Sequence, residues 1–151
     1  FSLLGFGDKA GEYYRMINPI EHSRTKEAAN KYKVEPYVIS ADVYTQKNLA
    51  GRGGWTWYTG SSSWMYEAGI KYLLGLRIEN GYLSIQPCIP SDWKEYSIKY
   101  KHGNSVYNIH VSNPNGKNNT VESFKLNGKE IPDKKIELNS ADGVYNIEIL
   151  M

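Results

Sequence analysis

Cysteine is almost absent from this chain: Cys88 is the only one among 151 residues. No intrachain disulfide can form, and a cytoplasmic setting is allowed. A basic surface is missing too, because 18 Lys and Arg are offset by 16 Asp and Glu, both signs being spread along the sequence. That argues against nucleic-acid binding and against direct membrane contact by this segment, both of which need clustered Lys and Arg. No apolar run approaches the roughly 18 residues that suggest a membrane helix. The three histidines, His22, His102 and His110, show no metal-ligand spacing with Cys88, so no metal site is expected. Finally, "FSLLGFGDKAGEYYRM" has no initiating Met, no basic leader and no small-residue cleavage site, so it does not read as a signal peptide. It opens inside an apolar pattern, as a cut helix would, and the expectation is a C-terminal piece of a longer chain.

What is present falls into two regions of different period. From Phe1 to about Gly75 the pattern is helical. Asp8 is positioned to cap "KAGEYYRMI", which Asn18-Pro19 then stops. Ser23 or Thr25 can cap "KEAANKY", and the Ser61-Ser62-Ser63 run can cap "WMYEAGIKYLL". The latter is apolar on nearly every side, the mark of a helix buried in a larger helical assembly. Between them "VEPYVISADVYTQKNLAGRGG" has little periodicity, and a loop of that length is often functional. After Gly75 short alternating runs take over, beginning with a hairpin signal at Asn80-Gly81. About seven strands are expected, arranged as an antiparallel β-sandwich of jelly-roll type. The fold class is therefore α+β in two parts: helices over 1–76 and a β domain over 77–151.

The stretch "GRGGWTWYTGSSSWMYEAG", Gly51–Gly69, stands out because it combines glycines with three of the chain's four tryptophans just before a helix. A helix N-terminus offers unpaired N–H groups and a partial positive charge, which favour an anion. Thr59 could donate a hydroxyl there, and Gly60 would let the backbone come close to a ligand. The plainer alternative is a helix cap with no ligand.

At "YKVEPYVISADVY", "GRGGWTWYTGSSSWMY" and "LGLRIENGYLSIQPCIPSDW" the chain resembles the inverting glycoside phosphorylases of the cellobiose-phosphorylase family. Within it the nearest members are those acting on β-1,2-glucans and the phosphorylase-like region of cyclic β-1,2-glucan synthases. The resemblance covers Asp8 to about Trp93 and is weaker through the strands that follow. It implies the C-terminal helices of an (α/α)6-barrel catalytic domain followed by a β-sandwich. It implies phosphorolysis of β-linked glucans to α-glucose 1-phosphate, with inorganic phosphate as co-substrate and no other cofactor. The family's phosphate-binding Thr-Gly step matches Thr59-Gly60. Its catalytic acid, and a phosphate-binding His and Arg, belong to segments upstream of Phe1. No aspartate of this chain is assigned that role, and the isolated piece is expected to be inactive. The family implies packing against the rest of the barrel and is compatible with a homodimer of the full-length protein. Where cellobiose-type members have a sugar-contacting Gln after Glu-Pro-Tyr, this chain reads Val38-Ile39-Ser40-Ala41-Asp42. Its Thr-Gly motif is also longer than theirs, and both departures favour β-1,2 linkage.

Several side chains keep two readings. Trp55, Trp57 and Tyr58 can stack on sugar faces or seal a core. Glu35 and Tyr37 can contact substrate, or Glu35 can form a structural ion pair; Asp42 shares those options. Arg52 can add charge to the phosphate site or stay solvated. Trp64 reads as structural, His22 as a surface or interface residue, and Cys88 as packing. For the whole chain the rivals are part of a cyclic β-1,2-glucan synthase, a carbohydrate-binding β-sandwich without chemistry, and a structural domain binding nothing.

Overall fold

A computed structural model describes residues 1–151 except Pro36 and Tyr58, together with the side chain of Thr59. The chain is α+β and divides into two compact units, Phe1–Gly11 with Ile70–Met151, and Glu12–Gly69.

Helix α1 spans Gly7–Ile17 and stops one residue before Asn18-Pro19, as the proline requires. Asp8 does not cap it. It lies inside the first turn, where its carboxylate accepts hydrogen bonds from the Ser91 backbone N–H at 2.7 Å and the Ser91 hydroxyl at 2.9 Å. Helix α2, Lys26–Tyr32, is capped by Thr25, whose hydroxyl accepts from the Ala28 N–H at 3.1 Å. Helix α3 spans Thr59–Glu67 and passes into a π-helical turn at Ala68–Leu73. It begins before the serine run, so Ser61, Ser62 and Ser63 sit within its first turns rather than capping it. Within this chain its apolar residues are divided: Met65 is buried, whereas Trp64 and Tyr66 are each 70% exposed.

Eight strands follow. β1 (Leu76–Glu79), β2 (Tyr82–Ile85) and β7 (Lys135–Glu137) form one antiparallel sheet in the order β1-β2-β7. β3 (Glu95–His102), β4 (Ser105–Ser112), β5 (Ser123–Leu126), β6 (Lys129–Glu130) and β8 (Gly143–Leu150) form the other, in the order β3-β4-β8-β5-β6. Asn80-Gly81 and Asn127-Gly128 make the β1–β2 and β5–β6 turns, all four residues having positive φ as a two-residue hairpin turn of this twist demands. The second sheet is mixed, which corrects the expectation of a wholly antiparallel domain. β4 and β8 run parallel, Ser105 opposite Gly143 through Ser112 opposite Leu150. The chain can do this because residues 113–142, with three short strands of their own, carry it back to the starting edge, and parallel pairing needs such a long return.

Alternation along the strands supplies the core. Leu83 and Ile85 of β2, Ile136 of β7, Tyr107, Ile109 and Val111 of β4, Phe124 of β5 and Ile147 and Ile149 of β8 make one buried cluster, so both sheets feed the same interior. Asn113, just after β4, is fully buried yet satisfied: its side-chain amide donates to the carbonyls of Trp93 and Lys117 and accepts from the Lys117 N–H. That is the pattern a buried amide requires.

The segment entering β1 is stitched down residue by residue. The Leu73 carbonyl accepts from the Cys88 N–H and the Gly75 carbonyl from the Gln86 N–H, both at 2.9 Å. Between them the Leu74 carbonyl accepts from the Tyr96 phenol at 2.6 Å. Burial pushes the Tyr96 phenol far above its ordinary range, so it remains a neutral donor at any physiological pH. Tyr96→Phe leaves that half-buried carbonyl unsatisfied and is expected to cost about 1–2 kcal/mol in urea unfolding. Cys88 is buried beside this junction, consistent with a packing role, and burial raises its thiol.

Candidate functional site

The unit Glu12–Gly69 is organised around Tyr32, at the end of α2. Its ring is 1% exposed, packs with Val34 and Val38, and stacks on the His22 ring at 4.8 Å between centroids. Its phenol shares a hydrogen bond with the Ser40 hydroxyl at 2.9 Å, and its carbonyl accepts from the Gly53 N–H at 2.8 Å. One tyrosine thus pins both sides of the segment that looked structureless in sequence. Neither Tyr32 nor Ser40 stood out there; the signal available was the apolar end of α2 facing an aperiodic loop. His22 is a packing residue here, its Nε2 lying 2.6 Å from the Met16 carbonyl.

That loop is a ribbon rather than a coil. Ala41 N–H donates to the Trp55 carbonyl, Gly54 N–H to Asp42, and Tyr44 N–H to Arg52, around a single bridge of Val43 with Gly53. Two of its glycines are closely approached. A methyl group at Gly53 would lie 2.3 Å from Val34 Cγ2, and one at Gly54 would lie 1.7 Å from Asp42 Oδ1. Asp42 and Arg52 are exposed members of this ribbon, with their backbones in its pairing.

The ribbon delivers Trp55 and Trp57 to the start of α3. Trp57 holds φ 62, a strained conformation for a large side chain of the kind found at functional sites. Its ring meets Tyr37 edge to face at 6.4 Å, which joins the Glu-Pro-Tyr segment to the tryptophan-rich one. Glu35 lies half-buried in the same turn as Tyr37, where Val38 N–H bonds back to the Glu35 carbonyl. Pro36 and Tyr58 lie outside the described residues. The rings of Tyr37, Trp55 and Trp57 are 73%, 71% and 68% exposed, so none belongs to the core of this chain.

Thr59 and Gly60 are the first two residues of α3. The helix carries no acidic residue in its first turn, whereas α1 has Asp8 and α2 has Glu27 there. The partial positive charge of its N-terminus therefore has no built-in counter-charge. Gly60 is exposed, and a methyl group added to it would meet nothing within 4 Å. Unlike Gly53, which packs against the buried Val34 and Tyr32 side chains, it is not required by packing in this chain. Among the described residues no group of three or more His, Cys, Asp or Glu could hold a metal ion, and no helix is long and apolar enough to cross a membrane.

Residues 1–75 match the family model "Glycosyl hydrolase 94 superfamily, catalytic domain". The chain is 45% identical over 105 residues to the cyclic beta-(1,2)-glucan synthase NdvB of Rhizobium meliloti (strain 1021), covering 70% of this chain and 4% of that protein. It is 32% identical over 130 residues to the N,N'-diacetylchitobiose phosphorylase of Vibrio furnissii, covering 85% of this chain and 16% of that protein. With the solabiose phosphorylase of Paenibacillus borealis it shares 31% identity over 156 aligned positions, covering 99% of this chain and 19% of that protein. The chain thus spans less than a fifth of the length of each of these relatives.

Proposed function

Residues 1–75 belong to the catalytic domain of the glycosyl hydrolase 94 superfamily, and from that premise we propose that the chain is the C-terminal part of a glycoside phosphorylase acting on β-linked glucans. In this reading residues 1–76 supply the last helices of an (α/α)6 barrel, and 77–151 a C-terminal β-sandwich. The chain packs on the remainder of the barrel, and the enzyme works in the cytoplasm. Inorganic phosphate binds at Thr59-Gly60 and attacks the anomeric carbon of the substrate. The bond from that carbon to the bridging oxygen breaks, and a general acid outside this chain gives the leaving oxygen its proton. Phosphate takes the place of the base-activated water of an inverting hydrolase, so α-glucose 1-phosphate forms with a single protein acid.

The observation that carries the reading is the start of α3. There a helix N-terminus without an acidic first turn, an open glycine and three exposed rings lie in one continuous stretch of structure. Unpaired N–H groups and the Thr59 hydroxyl suit a phosphate, and the flat apolar faces of Trp55, Trp57 and Tyr37 suit sugar rings. Glu35 is assigned a hydrogen bond to a sugar hydroxyl.

The test is to supply the full-length protein with β-1,2-gluco-oligosaccharides or cellobiose, with and without phosphate, and measure glucose 1-phosphate. Phosphate-dependent release from the β-1,2 substrates alone is expected. Absence of release from either substrate overturns the substrate assignment. Thr59→Val is expected to raise the KM for phosphate about tenfold, one charge-assisted hydrogen bond being worth roughly that much. Its circular dichroism is expected to match the wild type.

A second reading, part of a cyclic β-1,2-glucan synthase, is favoured by the 45% identity to such a protein over 105 residues. Formation of cyclic glucans without added phosphate by the full-length protein would select it.

A further inference from the structure

The outer face of the β1-β2-β7 sheet carries an arrangement that the α3 site does not use. Strand register places Arg77, Ser84 and Lys135 side by side in one row, and Glu79, Tyr82 and Glu137 in the next. Their neighbours Leu83, Ile85 and Ile136 point into the core, so these six residues share the opposite face. A cleft of about 590 Å³ lies over Glu79, Tyr82, Ser84 and Lys135, and a second of about 400 Å³, reached from this face only at Arg77, shares Gln86 and Asn119 with it.

Three features of the face point to a ligand. The Arg77 Nε is buried and, among the described residues, has no hydrogen-bond partner. Tyr82 is 41% exposed, and the Lys135 ammonium lies over one side of its ring, 5.3 Å from the centroid, so only the side away from Lys135 is offered to a ligand. The charges then decide the ligand's class. Arg77, Lys134 and Lys135 are matched by Glu79, Asp133 and Glu137, so the face has no net sign to attract an ion. Polar groups of both signs around an exposed aromatic ring suit a neutral polyhydroxylated ligand, which offers donors, acceptors and an apolar C–H face at once. Lys134 adds a strained conformation, φ 51, at the rim, with its ammonium fixed on the Val121 carbonyl at 2.6 Å.

We propose that this face is a second, non-catalytic binding site for an oligosaccharide chain. Tyr82 is the stacking platform, and Arg77, Glu79, Gln86 and Asn119 provide the hydrogen bonds. The choice of a glucan as probe rests on the proposed activity.

The intact chain would be titrated with linear β-1,2-gluco-oligosaccharides in the absence of phosphate, by calorimetry and by amide chemical-shift changes. Saturable binding is expected, with shifts centred on residues 77–86 and 134–137. Tyr82→Ala is expected to weaken it about tenfold, and Glu79→Gln several-fold, with unchanged amide spectra elsewhere. Trp57→Ala is expected to remove only shifts arising at the start of α3 and to leave those at residues 77–86 and 134–137 in place. Loss of the latter shifts in Trp57→Ala with no change in Tyr82→Ala would overturn the proposal, placing the sugar at α3 and leaving the phosphorylase reading in force. Absence of saturable binding would also overturn it. So would inorganic phosphate alone shifting Arg77 and its neighbours while the sugars shift nothing, since the face would then be an anion site.

Discussion

Gly75→Ala is expected to be among the most damaging single-methyl additions to this chain. Gly75 sits at the entry to β1 with φ +76, a left-handed conformation that costs an alanine about 1–2 kcal/mol. The added methyl would lie 2.1 Å from the carbonyl carbon and 2.2 Å from the oxygen of Gln86. Both are backbone atoms, so no rotamer change relieves the overlap. The two strands must separate, which breaks the Gln86-to-Gly75 hydrogen bond and strains the Leu73 and Leu74 carbonyl bonds beside it. Conformational strain, overlap and a lost hydrogen bond together should reach about 3–5 kcal/mol, a fall in Tm of about 10 °C or more. Gly81→Ala is the control. It has nearly the same φ, +81, with open space around the added methyl, and so isolates the conformational part. Equal losses at the two positions would show that the backbone overlap is not the cause.

Gly60→Ala is expected to act in the opposite sense on stability and most strongly on activity. Nothing lies within 4 Å of the added methyl in this chain, and alanine is the better helix former. The chain should be as stable as the wild type, or more so by up to about 1 kcal/mol. If phosphate sits on the N-terminus of α3, however, that methyl stands between the ligand and the N–H groups that hold it. Displacing a reacting group by about 1 Å can cost about a hundredfold, and kcat/KM for phosphate in the full-length enzyme is expected to fall by about that factor. Retained phosphorolysis kinetics in a folded Gly60→Ala enzyme would remove the start of α3 from the phosphate site.

Much of the fold was legible in the sequence because local chemistry decides it. Asn80-Gly81 and Asn127-Gly128 can adopt the positive φ of a tight hairpin, and both do. Asn18-Pro19 ends α1 as the proline requires, and the Thr25 hydroxyl caps α2 by a bond only three residues long in sequence. What was hidden depends on residues far apart in sequence. Asp8 looked like a cap because nothing in its own segment announces Ser91, 83 positions later. The parallel pairing of β4 with β8 leaves no local mark, since a strand alternates in the same way whichever neighbour it meets. The start of α3 was displaced for a different reason. Serine is a common capping residue, but Thr59-Gly60 precedes the run, and the turn there is already helical. At the candidate site the residue types were readable, and the resemblance named Thr59 and Gly60. The edge-to-face meeting of Tyr37 with Trp57 was not readable, because it depends on a ribbon held by Tyr32.

The position of β8 bears on how the chain acquires its shape during synthesis. It lies between β4 and β5, the middle of the five-stranded sheet, although it follows the other seven strands in sequence. The β3–β4 and β5–β6 hairpins can form as they emerge, but each must wait beside an open edge until residues 143–150 arrive to bridge them. Phe1–Gly11, which precedes every strand in sequence, belongs to the same compact unit and waits longer than any of the strands. From the emergence of β3 until that of β8 those edges stay unprotected, the interval in which such edges aggregate. Closure then depends on contacts distant in sequence, which form slowly.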